Sequence, residues 1–211
     1  MSLLERETKL TVSAQDYSIL RKAGRLLERR DQLNIYFHGL DRLMDHPLGH
    51  SGYFRVRYES DREPVASLKI PVGWRGEMRE MIELEKPLSD FGPSLFPRPL
   101  RWVRVDESAP EGFMEHFQAS GIERLRRLGW MRNLRLVLEL DPGGTIELDR
   151  TVLPGGEVSY EVEIESPHEQ VHARCVEVVR TIAPSAEFSK IGKYSRFLLG
   201  AGLIDRDSPR S

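Results

Sequence analysis

The run Leu4-Glu5-Arg6-Glu7-Thr8-Lys9-Leu10-Thr11-Val12 decides how the rest of the chain is read. In an extended strand, side chains alternate between two faces, so Glu5, Glu7 and Lys9 project to one side while Arg6, Thr8 and Leu10 project to the other. Two carboxylates and an ammonium on one surface describe either a strand wetted by solvent or a metal site beside a cation that can hold an anionic ligand. For this segment alone the solvated strand is the simpler reading. The same arrangement recurs downstream, and the recurrence gives the second reading its weight.

Working outward, Ser13-Ala14-Gln15-Asp16 reads as a helix start. Tyr17, Leu20, Ala23, Leu26 and Leu27 follow at helical spacing, which predicts an amphipathic helix ending near Arg30. Gln32 to His38 alternates Leu33, Ile35 and Phe37 with Asn34, Tyr36 and His38, the pattern of a second strand. In Tyr53-Phe54-Arg55-Val56-Arg57-Tyr58, two guanidinium groups share a face opposite Phe54 and Val56. Asp61-Arg62-Glu63 turns the chain into Pro64 to Ile70, which carries Lys69. From Arg79 to Lys86, Ile82 and Leu84 oppose Glu83 and Glu85. Prolines at 87, 93, 97, 99 and 110 make the next stretch a long connection, with Leu100 to Val105 the one segment left for a regular element. Glu111 to Leu128 has helical spacing in Phe113, Phe117, Ile122, Leu125 and Leu128.

The second half reads as a β-meander. Leu134, Leu136, Leu138 and Leu140 oppose Arg135, Val137 and Glu139; Ile146 and Leu148 oppose Glu147 and Asp149; Tyr160, Val162 and Ile164 oppose Glu161, Glu163 and Glu165. Pro142-Gly143-Gly144 and Pro154-Gly155-Gly156 are the turns. A last helix is predicted from Pro167 to about Ile182, with Val171, Cys175 and Val178 or Val179 inward. A tail with Lys190, Lys193 and Arg196 follows.

The chain has 211 residues, 39% hydrophobic and 30% charged, enough for one domain with a substantial core. We expect a single domain over residues 1–205 and a short polar tail over 206–211. No apolar run approaches the ~20 residues that span a bilayer, and the first residues lack the apolar block of a secretory signal, so a soluble, cytoplasmic protein without membrane association is expected. One cysteine, Cys175, excludes an internal disulfide. The net charge is −2, from 31 basic and 33 acidic residues, so no global field draws the chain to nucleic acid.

An antiparallel sheet with one apolar and one charged face can bury the apolar face in two ways. Against a second sheet it makes a sandwich whose charges meet water. Closed into a barrel under amphipathic helices, it turns the charges into a lumen, where they need counter-charges, metal ions or a polyanion. Periodicity does not choose between them.

Glu5-x-Glu7-x-Lys9 resembles the ExExK signature of the CYTH family, the triphosphate tunnel metalloenzymes. Further segments resemble that family's motifs in order along most of the chain: Asn34-x-Tyr36-Phe37, Phe54-Arg55-Val56-Arg57, Ser67-Leu68-Lys69, Glu83-Leu84-Glu85, Arg132-Asn133-Leu134-Arg135, Glu147-Leu148-Asp149, Tyr160-Glu161-Val162-Glu163, and Phe188-Ser189 with Lys193-Tyr194-x-Arg196. The resemblance implies an α+β, mainly antiparallel fold, a closed eight-stranded tunnel-like barrel with helices outside. There are departures. His38-Gly39 stands where the family often has Asp-Thr, Met81 falls in phase with the polar positions of its strand, and Lys190 competes with Lys193 for the closing position.

The resemblance implies a catalytic group of Glu5, Glu7 and Lys9. Substrate would be held by Lys9, Arg55, Arg57, Lys69, Arg135, Lys193 and Arg196. Mg²⁺ or Mn²⁺ would be held by Glu5, Glu7, Asp149, Glu161 and Glu163, with Glu83, Glu85 and Glu147 as further acidic positions. Arg offers planar forks and Lys a point charge to phosphate oxygens, and hard cations suit carboxylates. The implied activity is water attack on a terminal phosphoryl group of a linear triphosphate, inorganic triphosphate foremost, by a monomer or homodimer. Thiamine triphosphate or another organic triphosphate is the alternative substrate, and a non-catalytic polyphosphate- or nucleotide-binding module the alternative class. The His-Phe pair that class IV adenylate cyclases carry upstream of ExExK is missing.

Other chemistry is weaker. His46-x-x-x-His50 is interrupted by Pro47 and Gly49, which disfavours a zinc site. Cys175 reads as core packing, Trp74, Trp102 and Trp130 as core or loop anchors, and Arg124-x-Arg126-Arg127 as a solvated helix face. No glycine-rich phosphate loop occurs, so any phosphate site must be built from side chains.

Overall fold

The alternating segments become strands that close on themselves. In the computed structural model, which describes residues 3–39, 52–91, 102–104, 109–119, 122–141, 144–166, 168–189 and 191–204, the elements in order are β1 (Leu3–Thr11), α1 (Ala14–Ala23), β2 (Arg25–Gly39), β3 (Tyr53–Glu59), β4 (Val65–Arg75), β5 (Met78–Pro87), β6 (Trp102–Arg104), α2 (Glu111–Ala119), β7 (Arg124–Leu140), β8 (Gly144–Val152), β9 (Val158–Glu165), α3 (Glu169–Ile182), β10 (Glu187–Phe188) and α4 (Lys193–Gly200). The ring runs β1-β5-β4-β3-β2-β7-β8-β9 and is sealed by β1 against β9, every pair antiparallel. The barrel is therefore the arrangement adopted, and the charged faces turn inward. Closure also leaves the eight ring strands without an open edge.

The apolar faces point outward under three covers. Leu10, Leu136, Leu138, Leu148, Val162 and Ile164 pack beneath Leu20 of α1 and Cys175 and Val179 of α3. On the other side Phe37, Phe54, Val56 and Leu68 meet Phe113 and Phe117 of α2, whose rings stand edge-on to Phe54 at 6.0 and 5.8 Å. At one end of the barrel, inward-facing Tyr36 and Met131 pack with Leu153 against Tyr194, Phe197 and Leu198 of α4, with Phe197 stacked 4.8 Å from Tyr36.

The expected helix to Arg30 is corrected: it ends at Ala23, and residues 25–39 form one long strand. Ser13 caps its start, its Oγ accepting from Asp16 N at 3.0 Å. At its end Gly24 lies so close to β7 that a Cβ there would meet Leu138 Cβ at 2.9 Å. Pairing with β7 overrides the helical spacing of Leu26 and Leu27, both left exposed. Gly24→Val is expected to force the α1–β2 corner away from Leu138, costing about 1–3 kcal/mol by overpacking. At about 2–4 °C per kcal/mol for a chain of this size, thermal unfolding should show a fall of several degrees; an unchanged melting temperature would show that the corner yields freely.

Three further expectations change. The helix over Glu111 to Leu128 stops at Ala119, and Leu125 and Leu128 belong to β7, so Arg124, Arg126 and Arg127 are exposed on a strand and not on a helix. In α3, His172 is buried with Cys175 and Val179 while Val171 is 45% exposed. The expected tail at Lys193 is helix α4. Trp74 and Trp130 are about half exposed and anchor no core, while Cys175 packs as expected. His46, His50, Lys190, the side chain of Trp102 and the 206–211 tail lie outside the described residues.

Candidate functional site

Strand register decides which side chains meet inside. From β2, Arg30, Gln32, Asn34 and Tyr36 face inward; β3 adds Tyr53, Arg55 and Arg57, β4 Ser67 and Lys69, β5 Glu83 and Glu85, β7 Asn133 and Arg135, and β8 and β9 the carboxylates of Glu147, Asp149, Glu161, Glu163 and Glu165. The cavity holds about 190 Å³, and seven cations against five carboxylates are among the residues lining it. Met81 shares the inward face of β5 with Glu83 and is fully buried, so the strand needs no shift of register to bring Glu83 and Glu85 inside.

The charges divide between two walls. On the wall of β1, β7, β8 and β9, cations and carboxylates are matched closely. Arg135 donates to Asp149 with Nε at 2.9 Å and Nη2 at 2.7 Å, and also bonds Glu163 and Glu147. Lys193 donates to Asp149 and Glu163 and lies 3.6 Å from Glu161. Lys9 donates to Glu163 at 2.9 Å and pairs with Glu7 at 2.9 Å. Arg196 pairs with Glu161 and donates to Ser159 at 2.8 Å. Asn133 completes the set, donating to Asp149 at 3.0 Å while its own oxygen accepts from Thr151.

The pKa shifts follow from this matching. Burial alone would raise the Asp149 carboxyl, but Arg135 and Lys193 outweigh it and bring it down to about 2. Glu163 is held well below the usual range against the same penalty by Lys193, Lys9 and Arg135. Burial pulls the Lys9 ammonium down, yet Glu163, Glu7 and Glu161 raise it well above its ordinary value. Lys9 is therefore a fixed cation at neutral pH and no general base. Glu147 is pushed up by burial and by its acidic neighbours Glu163 and Asp149, partly offset by Arg135.

On the wall of β3, β4 and β5 the balance is looser. Arg55 donates to Ser67 at 3.1 Å and reaches Glu83 at 3.5 Å, and Lys69 pairs with Glu83 at 3.0 Å. Arg57 donates to the Asn34 amide oxygen at 3.4 Å and lies 3.9 Å from Glu59. Burial, then Arg55 and Arg135, disfavour its charged form, so of the two guanidiniums Arg57 is the less compensated. A cation in that position is stabilised by an incoming anion.

The expected site residues are thus largely brought together. Lys9, Arg55, Arg57, Lys69, Arg135, Lys193, Glu83, Glu85, Glu147 and Glu163 line the cavity; Glu7, Asp149 and Glu161 are buried beside it in the same ion-pair system. Arg196 is tied to Glu161 and does not line the cavity, and the side chain of Glu5 lies outside the described residues, although its backbone pairs with Met81. The structure adds Arg30, Gln32, Asn34, Tyr36, Tyr53, Asn133 and Glu165 to the lining. Alternation back from Asn34 to Arg30 could have found two of these, had the helical spacing of Leu26 and Leu27 not drawn the boundary elsewhere.

The donor set suits a hard divalent cation. Ligand oxygens of Glu7, Glu163 and Glu165 lie within 4.8 Å of one another, and neither oxygen of buried Glu7 accepts a hydrogen bond. Carboxylate oxygens in such a group fit Mg²⁺ or Mn²⁺.

No family model matches this chain, and no curated protein matches it. Solved structures do. An adenylyl cyclase candidate from Hippeastrum, described as having a dominant triphosphatase activity, is 22% identical, covering 93% of this chain and 96% of its own, with a TM-score of 0.72. An adenylate cyclase candidate from Bacillus halodurans is 19% identical over 93% of this chain and 98% of its own, with a TM-score of 0.67. A protein of Pyrococcus horikoshii is 16% identical over 92% and 98%, with a TM-score of 0.55. The fold is accordingly the CYTH-like tunnel barrel, a closed ring of eight antiparallel strands with helices on its outside.

Proposed function

We propose that the protein is a metal-dependent hydrolase of a linear triphosphate, with inorganic triphosphate the foremost substrate. The observation that carries this reading is the unequal pairing of the two walls. One wall carries the weakly compensated guanidinium of Arg57 beside Arg55 and Lys69; the facing wall holds matched ion pairs and a buried carboxylate, Glu7, whose oxygens accept no hydrogen bond. A phosphate chain neutralises the first wall, and a divalent cation suits the second.

In this mechanism Arg55, Arg57 and Lys69 grip phosphate oxygens, with the Asn34 and Ser67 side chains fixing the two guanidiniums. Arg135 and Lys193, anchored by Asp149 and Glu163, face the same lumen and stabilise the charge that grows on the departing pyrophosphate as the bridging P–O bond breaks. Lys9, held protonated, acts electrostatically. Glu7 and Glu163, joined by Glu5, would hold Mg²⁺ or Mn²⁺, which when bound supplies Lewis-acid polarisation and a more acidic water. No covalent nucleophile is required.

The test is phosphate release from triphosphate, thiamine triphosphate and ATP, each with Mg²⁺, Mn²⁺ or EDTA. Metal-dependent release, fastest from triphosphate, is expected. Preference for thiamine triphosphate would move the substrate to the organic class, and ligand-induced stabilisation without any turnover would leave a binding module. Arg57→Leu is expected to raise the KM for triphosphate about 10- to 100-fold, the worth of one charge-assisted contact at about 1.5–3 kcal/mol. An unchanged KM in steady-state assays would remove Arg57 from the phosphate path.

A further inference from the structure

A second concave site lies outside the barrel, behind α4. Leu128 and Trp130 of β7, Val152 at the end of β8, Pro154 of the turn that follows, and Phe197 and Ala201 at the end of α4 wall a cavity of about 440 Å³. That volume is within the range of small-molecule sites, about 300–1,000 Å³, and none of these residues lines the lumen. Two close approaches fix the walls. A Cβ on Gly200 would meet the Pro154 carbonyl oxygen at 2.9 Å, and one on Gly129 would meet the Phe197 ring at 3.1 Å, so α4 is pressed against both the β8–β9 turn and β7.

Only apolar side chains and glycines line this cavity, and the largest of them stays wet. Trp130 is 52% exposed, and it belongs to none of the three apolar clusters under the helices, whereas Phe197 beside it is fully buried. An indole so placed gains from a planar apolar body laid against it. Charge at the rim is mostly positive. Arg132, two residues beyond Trp130 and so on the same face of β7, stands opposite Val152 of the cavity wall, and Arg127 adjoins Leu128. Both arginines are exposed, and neither makes an ion pair or a side-chain hydrogen bond among the described residues. Arg25, Arg29 and Arg62, also exposed, each pair with a carboxylate. Glu157 is the sole acidic residue in the segments that build the site, 124–138, 150–160 and 193–204, so the rim suits a ligand that brings its own negative charge.

We propose that this cavity binds a small aromatic acid, its ring system against Trp130 and its carboxylate or sulfonate turned to Arg132. The site is separate from the lumen and stands whether or not triphosphate is hydrolysed there. Phe197 links the two, since the ring that walls the cavity is stacked 4.8 Å from Tyr36 of the lumen. An occupant therefore bears on that end of the barrel through one ring.

The experiment is fluorescence titration of the full-length protein with two probes of one ring framework, anilinonaphthalene sulfonate and its uncharged counterpart phenylnaphthylamine. Excess triphosphate and EDTA are present throughout, to keep the sulfonate out of the cationic lumen. One sulfonate probe per chain is expected, bound at least about tenfold more tightly than the neutral one. Trp130→Ala should weaken the sulfonate at least about tenfold, and Arg132→Gln should bring it to the level of the neutral probe. Ala201→Trp, which occupies the cavity from the α4 side, should abolish binding. All three positions are exposed, so melting temperatures near that of the wild type are expected. No saturable binding by the wild type, equal affinity for the two probes, or wild-type affinity in Trp130→Ala would overturn the proposal.

Discussion

Glu7→Gln is expected to reduce metal-dependent triphosphate hydrolysis by roughly a thousandfold, the upper end of what removing one preorganised electrostatic group costs, while leaving the fold intact. Gln keeps the volume of the side chain and removes its charge. Glu7 is buried, and among the described residues its carboxylate pairs with Lys9 and accepts no hydrogen bond, so exchanging it breaks none of those described. Lys9 retains its bond to Glu163. A melting temperature near that of the wild type, together with loss of both turnover and Mn²⁺-induced stabilisation, is the expected combination. Turnover within tenfold of wild type would remove Glu7 from the metal site.

Arg135→Met is expected to be the most destabilising change in the lumen. Arg135 is buried and bonds Asp149, Glu163 and Glu147 at once. Removing one partner from a buried ion cluster leaves uncompensated charge and costs about 3–5 kcal/mol; at about 2–4 °C per kcal/mol the melting temperature should drop by about 10 °C. The pH dependence separates this cause from lost packing. In the wild type the Asp149 carboxyl lies at about 2 and that of Glu163 well below its ordinary value, so both add stability that is present above their unfolded values and lost as pH falls through the lowered ones. Without Arg135 these carboxyls shift upward toward their unfolded values, and that contribution shrinks although Lys193 and Lys9 remain. The stability gap between wild type and variant, measured on metal-free protein, should therefore be widest at neutral pH and shrink as pH falls below about 4 toward about 2. A gap independent of pH would mean that Arg135 acts by packing.

The resemblance to known tunnel enzymes lies in short charged strands, and those were legible. Arg55 with Arg57, Glu161 with Glu163, and Lys69 each sit in a strand whose period of two separates polar from apolar positions, and the structure keeps that separation in β3, β4 and β9. Helix boundaries were less legible. Leu26 and Leu27 in the first half and Leu125 and Leu128 later have helical spacing, but each pair lies in a long strand, β2 or β7, and these two strands pair with each other. A ladder of that length outweighs the local preference of a few residues, because each rung adds a backbone bond that the isolated segment cannot anticipate.

Alternation along the chain determined which side chains share a face, and hence that carboxylates, lysines and arginines would gather on one side of a sheet. It did not determine where that side would point. Pairing of β1 with β9, residues 150 or more positions apart, turned the charged face inward. That same seam set Glu7 against Glu165, while the β2–β3 register put Arg57 opposite Asn34 and the β7–β8 register put Asp149 opposite Arg135. Period two is a local property of the backbone; the register between distant strands is set by the packing of the whole barrel, and the electrostatic role of each charge depends on that register.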